Sequence, residues 1–306
     1  MEKIKLLALV GPTASGKSAA AVELAKRLNG EIISCDSMQV YRGMDIGTAK
    51  PTTAEMQGVP HHLIDIAEPN CPYSVASYVA DAARAAQEIA GRGKLPLICG
   101  GTGLYLDRLL FGGLPAQTTT DEALRASLLD YAEQHGPLAL HRELAAVDPV
   151  SAAQIHPNNV RRVARAIEIY RLTGLPKSEW DQKTKETDCR YEATVFLIDR
   201  PREELYRRID ARVDEMIEKG LLEETRRLEE NGVFLANSTA AQAIGYKEML
   251  PCLHGLCSLA EATETLKTAT RHYAKRQLTW FGAKAYVTPV TPEELFARFP
   301  ERRKST

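Results

Sequence analysis

The sequence predicts an α/β fold: a mostly parallel sheet covered by helices on both faces, carrying a helical insertion and ending in a helical C-terminal part. Two observations predict it. Short apolar runs alternate with helical spacings in the N-terminal third, and strand signals vanish between residues 115 and 191 before returning once. Residues 4–10 are a short apolar run bounded by Gly11-Pro12, which reads as a buried strand. Residues 16–29 set Ala20, Leu24 and Leu28 at helical spacing and stop at Gly30. Residues 31–37 read as a second strand, and the Ala-rich residues 73–92 as a helix with Ser74 as its N-cap. Residues 95–99, closed by Gly100-Gly101, and residues 194–198 supply the third and fourth strands. Between them, residues 121–134, 137–147, 150–155 and 158–173 read as helices, and after Pro201 helical segments continue to Phe281. The expected organisation is a catalytic core of residues 1–114 and 192–306 with an inserted helical domain of residues 115–191.

With 306 residues, 44% of them hydrophobic and 26% charged, the chain can bury a core of its own. A net charge of −1 supplies no global field for a polyanion, so RNA contact has to come from local basic patches. The cysteines Cys35, Cys71, Cys99, Cys189, Cys252 and Cys257 are scattered without a C-x-x-C pair, which points to free thiols in a reducing, cytoplasmic setting. Cys252, His254, Cys257 and His272 fit no common zinc spacing. The first strand runs straight into a glycine turn, unlike a signal peptide. No apolar run approaches the ~20 residues that span a bilayer. The polar tail at 300–306 is expected to fray.

Gly11-Pro12-Thr13-Ala14-Ser15-Gly16-Lys17-Ser18 matches G-x-x-x-x-G-K-[ST] in full, after a strand and opening a helix. Such a turn curls so that backbone N–H groups converge on an anion, and the helix N-terminus adds its dipole. Lys17 offers a point charge to phosphate oxygens, and the Ser18 hydroxyl is placed to reach Mg²⁺. The motif specifies a diphosphate or triphosphate and leaves open whether a nucleotide carries it.

Asp36 follows the second strand, where ligand crevices of parallel sheets lie, as do Thr102 and Tyr105 after the third. An Asp there can hold Mg²⁺ through water, act as a general base or cap a helix. Asp36, Ser37 and Gln39 together offer the donors and acceptors that suit a base edge.

These segments resemble the tRNA dimethylallyltransferases of bacterial type, also called isopentenyl-diphosphate:tRNA transferases. The resemblance rests on the glycine turn with Asp36-Ser-Met-Gln-Val-Tyr41, Asp45-Ile-Gly-Thr-Ala-Lys-Pro51, Pro60-His-His-Leu-Ile-Asp65 and Gly100-Gly-Thr-Gly-Leu-Tyr105. It continues through His156-Pro-Asn-Asn159, Arg161-Arg-Val-Ala-Arg-Ala-Ile-Glu168, Ile244-Gly-Tyr246 and Tyr273-Ala-Lys-Arg-Gln-Leu-Thr-Trp-Phe281. It implies a P-loop core and transfer of a dimethylallyl group from dimethylallyl diphosphate to the N6 amine of the adenosine 3′-adjacent to the tRNA anticodon. Diphosphate leaves and Mg²⁺ assists. Asp36 would be the base and Thr102 its orienting partner. Gly11, Thr13, Ala14, Ser15, Gly16, Lys17, Ser18 and Arg212 would bind diphosphate, with Ser18 on the metal.

RNA contacts on this resemblance fall at Asp36, Ser37, Met38 and Gln39, at Arg161, Arg162, Val163, Ala164 and Arg165, and at Gln242, Gly245, Tyr246 and Lys247. Lys275 and Arg276, with Arg271 and His272, would form a second basic track. The spacing of Arg161, Arg162 and Arg165 sets them near one helix face as a phosphate track for an anticodon stem, with a monomer as the working form. The target base must be flipped out of its stack. His61 and His62 read as structural hydrogen-bonding residues, since neighbouring side chains point apart. Gly282 stands where the resemblance leads one to expect Arg. The same P-loop and sheet would also suit an ATP-dependent small-molecule kinase, or a nucleotide-switch or RNA-binding module without chemistry.

Overall fold

Five consecutive buried residues, Leu6 to Val10, leave β1 (Lys5–Val10) no solvent face, so it has to lie inside a sheet covered on both sides. The computed structural model describes residues 3–112, 121–185 and 188–300. It places β1 beside β4 (Leu95–Gly100) and β5 (Glu192–Ile198), both parallel to it. β2 (Gly30–Cys35) pairs with the far side of β4, and the two-residue β3 (His61–His62) pairs with β2. β6 (Val287–Val290) closes the other edge against β5. The order is β3-β2-β4-β1-β5-β6, with every pairing parallel.

Helix α1 (Lys17–Leu28) buries Ala20, Ala21, Leu24 and Ala25 against this sheet and ends at Asn29 in the left-handed region. After the short α2 (Thr53–Met56), α3 (Val75–Gly91) begins with Ser74, whose hydroxyl accepts the Ser77 N–H at 3.0 Å. α4 (Gly103–Phe111) follows β4.

The chain divides into two compact units, one of residues 111–190 and the other of the segments flanking it. The boundary expected at 114/115 lies outside the described residues, as do Met1 and the tail beyond residue 300. The smaller unit holds α5 (Glu122–His135), α6 (Pro137–Val147), α7 (Pro149–Gln154), α8 (Val160–Thr173) and α9 (Lys177–Lys185). Leu128, Leu140, Leu144, Val163 and Ile167 form its core. Glu168, fully buried there, is ion-paired to Arg125 and Arg165, both at 2.9 Å.

In the larger unit β5 leads into α10 (Arg202–Glu218), α11 (Leu221–Glu230), α12 (Val233–Ala236), α13 (Tyr246–Leu253) and α14 (Leu259–Gly282). Ser258 and Glu261 cap α14 reciprocally. α15 (Pro292–Arg298) ends the chain's described part. β3 and β6 carried no strand signal. Two residues cannot show a period, and Pro289 in β6 is tolerated because that strand lies at the sheet edge. All six cysteines are free, and no metal-binding cluster occurs among the described residues.

Buried Glu31 on β2 accepts from His62 (2.7 Å), Arg92 (2.7 Å) and Lys94 (2.9 Å). Burial opposes its ionisation, but the Lys94, His62 and Arg92 hydrogen bonds outweigh it and hold the pKa at about 2, below the ordinary 4.5. A carboxyl depressed on folding stabilises the protein above its unfolded pKa, and that contribution is lost as pH falls from 4.5 toward about 2. Glu31→Gln is therefore expected to cost at most about 3 kcal/mol at neutral pH. The gap between wild type and variant should narrow below pH 4.5 and close near pH 2 in urea titrations run across pH.

Candidate active site

The glycine turn leaves β1 at the carboxyl end of the sheet. Ala14, with φ 62°, and Gly16, with φ 90°, adopt left-handed conformations that fold the loop back on itself. Two guanidinium groups hold its outer side: Arg208 Nε donates to the Ala14 carbonyl at 2.8 Å and Arg200 Nε to the Ser15 carbonyl at 2.6 Å. In a trans peptide the N–H points opposite the C=O, so the Gly16 N–H faces away from Arg200. Gln277 on α14 braces the loop from a third direction. Its Oε1 accepts the Thr13 N–H at 2.9 Å, while its Nε2 donates to the Gly101 carbonyl after β4 at 3.0 Å.

Lys17 donates to the Pro12 carbonyl at 3.1 Å. Burial pulls its pKa below the ordinary lysine value, and the Arg212 charge acts in the same direction. Burial likewise lowers Arg212, with Arg208 adding to the effect. Cys99 on the same wall is pushed up to about 11 by burial, so no thiolate offsets the two cations. Cations that destabilise one another in a confined space are stabilised by a bound polyanion.

Across the cavity, Asp36 is the first residue past β2. Its Oδ1 accepts from the N–H groups of Met38 (2.9 Å) and Gln39 (3.3 Å). That is the capping role weighed from sequence, and it uses one oxygen. Among the described residues, Oδ2 makes no hydrogen bond. Thr102 Oγ1 accepts the Ser37 N–H at 3.2 Å, and its own N–H binds the Cys35 carbonyl at 3.1 Å, so Thr102 ties the β2 and β4 turns together. Tyr273 lies close by; burial raises its phenol, and the Asp36 carboxylate raises it further.

One cavity of about 320 Å³ joins these groups. Thr13, Lys17, Ser18 and Arg212 line it, as do Asp36, Ser37, Met38 and Gln39. Gln242, Lys247 and Arg276 are on its wall, together with apolar Ile209, Val213, Met216 and Leu266. Cationic, acidic and apolar walls in one hollow suit a ligand with a phosphate end and a short hydrocarbon end.

A family model described as IPP transferase matches residues 39–284, and one described as isopentenyl transferase matches residues 4–69. A tRNA dimethylallyltransferase of Geobacillus kaustophilus is 52% identical over 277 residues, spanning 90% of this chain and 87% of the relative. The chain belongs to the tRNA dimethylallyltransferase family. The crystal structure of a full-length tRNA isopentenylpyrophosphate transferase from Bacillus halodurans is similar, with a TM-score of 0.71 and 46% identity over 97% of this chain and 95% of that one. A eukaryotic dimethylallyltransferase captured acting on tRNA gives a TM-score of 0.80 at 32% identity, over 96% of this chain and 76% of that chain.

Not every residue singled out on the family resemblance can offer its side chain to a ligand. Gly11, Ala14, Ser15 and Gly16 contribute backbone only, and the Ser15 side chain is fully buried. Tyr246 is also fully buried, and Gly245 is the N-cap of α13 with φ 108°. In the smaller unit Val163 and Ala164 face the helical core with no exposed surface. Arg165 is half-buried against Glu168, which leaves Arg161 and Arg162 as the exposed cations of that stretch. The burial of Val163 and Ala164 has one cause: the amphipathic helix puts its apolar residues inward. Lys275 is exposed beside Trp280 and Lys284, whereas Arg271 is bound to Asp210 at 2.6 Å. Sequence reasoning did not single out Arg200, Arg208, Gln277 or Tyr273, although Gln277 and Tyr273 belong to the family segment at 273–281.

Proposed function

We propose that this chain transfers a dimethylallyl group from dimethylallyl diphosphate to the N6 amine of the adenosine 3′-adjacent to the anticodon in tRNA, releasing diphosphate. The observation that carries this reading is the shared cavity. Lys17 and Arg212 face a leaving diphosphate in the same hollow in which Asp36 keeps one carboxylate oxygen free of hydrogen bonds among the described residues. The allylic C1–O bond breaks with its electron pair going to diphosphate, where Lys17, Arg212 and the loop N–H groups stabilise the charge. The adenine nitrogen forms the new bond to C1 and passes its proton to Asp36 Oδ2. Apolar Val213 and Leu266 exclude water from the allylic carbon, which would otherwise hydrolyse.

Ser18, an exposed residue on the cavity wall, would hold Mg²⁺ through its hydroxyl, an oxygen donor suited to a hard cation. Held there, the ion would neutralise part of the diphosphate charge. Arg161, Arg162, Lys247, Lys275 and Arg276 supply positive charge for the anticodon stem-loop, whose target base is extruded into the cavity. The enzyme works as a cytoplasmic monomer. No described helix is long and apolar enough to cross a membrane.

The test combines purified protein, an unmodified anticodon stem-loop RNA, Mg²⁺ and dimethylallyl diphosphate without ATP. Prenylated adenosine in the digested RNA is the expected product. Phosphorylation of a small acceptor at the expense of ATP, with unmodified RNA, would overturn the reading in favour of a kinase.

A further inference from the structure

Gly47, Thr48 and Ala49 line the cavity on the side of Asp36 and Gln39, yet no helix or strand supports them. Backbone of this kind needs its polar groups satisfied from elsewhere. Glu224 on α11 does so. Its carboxylate, 4% exposed, accepts the N–H groups of Asp45 (3.2 Å), Ile46 (3.0 Å) and Gly47 (3.0 Å), three in succession. A fourth donor, the Tyr246 hydroxyl, reaches it at 2.7 Å. Arg227 stands 3.8 Å away, so backbone dipoles rather than a close cation carry most of the compensation. Converging successive N–H groups are the arrangement with which proteins hold anions, and here the anion is a side chain of the same chain.

The rest of the loop is tied to that anchor. A Cβ on Gly47 would come within 2.5 Å of the Tyr246 ring, so only glycine allows the ring and the carboxylate to meet the loop together. Further along, the carbonyls of Thr48 (3.2 Å) and Ala49 (3.3 Å) accept from Gln39 Nε2, and the Gln39 N–H is bound by Asp36. A continuous set of hydrogen bonds therefore runs from Glu224 through the loop and Gln39 to the turn that orients Asp36.

We infer that Glu224 is a positioning residue for the acceptor side of the cavity: it touches no substrate and fixes the wall against which the adenine ring and its RNA strand are seated. This rests on the transferase reading above. Glu224→Gln keeps the shape but substitutes an N–H donor for one acceptor oxygen. It should raise KM for the stem-loop RNA about tenfold. KM for dimethylallyl diphosphate and the affinity for inorganic diphosphate should stay within about twofold, because the phosphate loop is braced by other residues. Tyr246→Phe removes one donor of four from a folded protein, and should raise the RNA KM about threefold with the same donor-side indifference.

Equal changes in the donor and RNA constants would overturn the inference, as would an unchanged RNA KM in both variants. If Glu224→Gln does not fold, Tyr246→Phe decides on the same criterion. A wild-type protein that prenylates no RNA refutes the transferase reading itself. An active wild type with unaffected variants refutes only the role of Glu224.

Discussion

Asp36→Asn is expected to slow prenyl transfer by about 10² to 10⁴-fold, the usual contribution of a positioned general base. The variant retains an Oδ1 that accepts from the Met38 and Gln39 N–H groups, so the turn survives. What it loses is the second oxygen, the one that can take up a proton. Single-turnover rates at saturating RNA and donor should carry the whole effect, with the dissociation constant for RNA changed little. An Asp36→Ala protein should lose rate too, but it also removes the acceptor that shapes the turn, so its RNA affinity should fall as well. If Asp36→Asn were to bind RNA poorly and react normally once bound, Asp36 would be a recognition residue and not the base.

Lys17→Ala is expected to lower kcat/KM for dimethylallyl diphosphate by about 10² to 10³-fold, as removal of one charge-stabilising group from a leaving-group site does. RNA affinity should remain. The stability of this variant is the more discriminating measurement. Lys17 is enclosed, its ammonium is disfavoured by burial, and Arg212 repels it. Removing it relieves that cost, so the variant should melt at or above the wild-type temperature while being nearly inactive. A loss of activity accompanied by a clear loss of stability would mean that Lys17 mainly holds the loop together through Pro12.

The elements legible in the sequence were those in which a few neighbouring residues decide the outcome. The apolar run of β1, the glycine turn and the helix after it are local patterns, as is the Ser74 cap of α3. Asp36, Lys17 and Arg212 were singled out by a strand end, a motif and the family resemblance respectively, and all three line one cavity. The braces around them were not legible for the opposite reason. Gln277 and Thr13 are 264 positions apart, Arg200 and Ser15 are 185 apart, and Glu224 and Gly47 are 177 apart. Glu224 stands in a run of charged residues, Leu221 to Glu230, where an exposed carboxylate is the ordinary expectation. Helical spacing puts it on the face of Leu221, Thr225 and Leu228, away from exposed Glu223, but only the tertiary structure shows what it binds. Val163 and Ala164 differ, since their burial follows from the apolar spacing of a helix. A segment can be quoted whole as a resemblance, but the helix it forms turns those two side chains into its core.

The bond between Gln277 and the Thr13 N–H also orders events in time. Synthesis runs from the N-terminal side, so the phosphate loop is made 264 residues before the side chain that braces it. A nascent chain can therefore have β1, α1 and the complete glycine turn in place and still lack the brace until α14 has emerged. The glycine turn gains this brace only once α14 has been made.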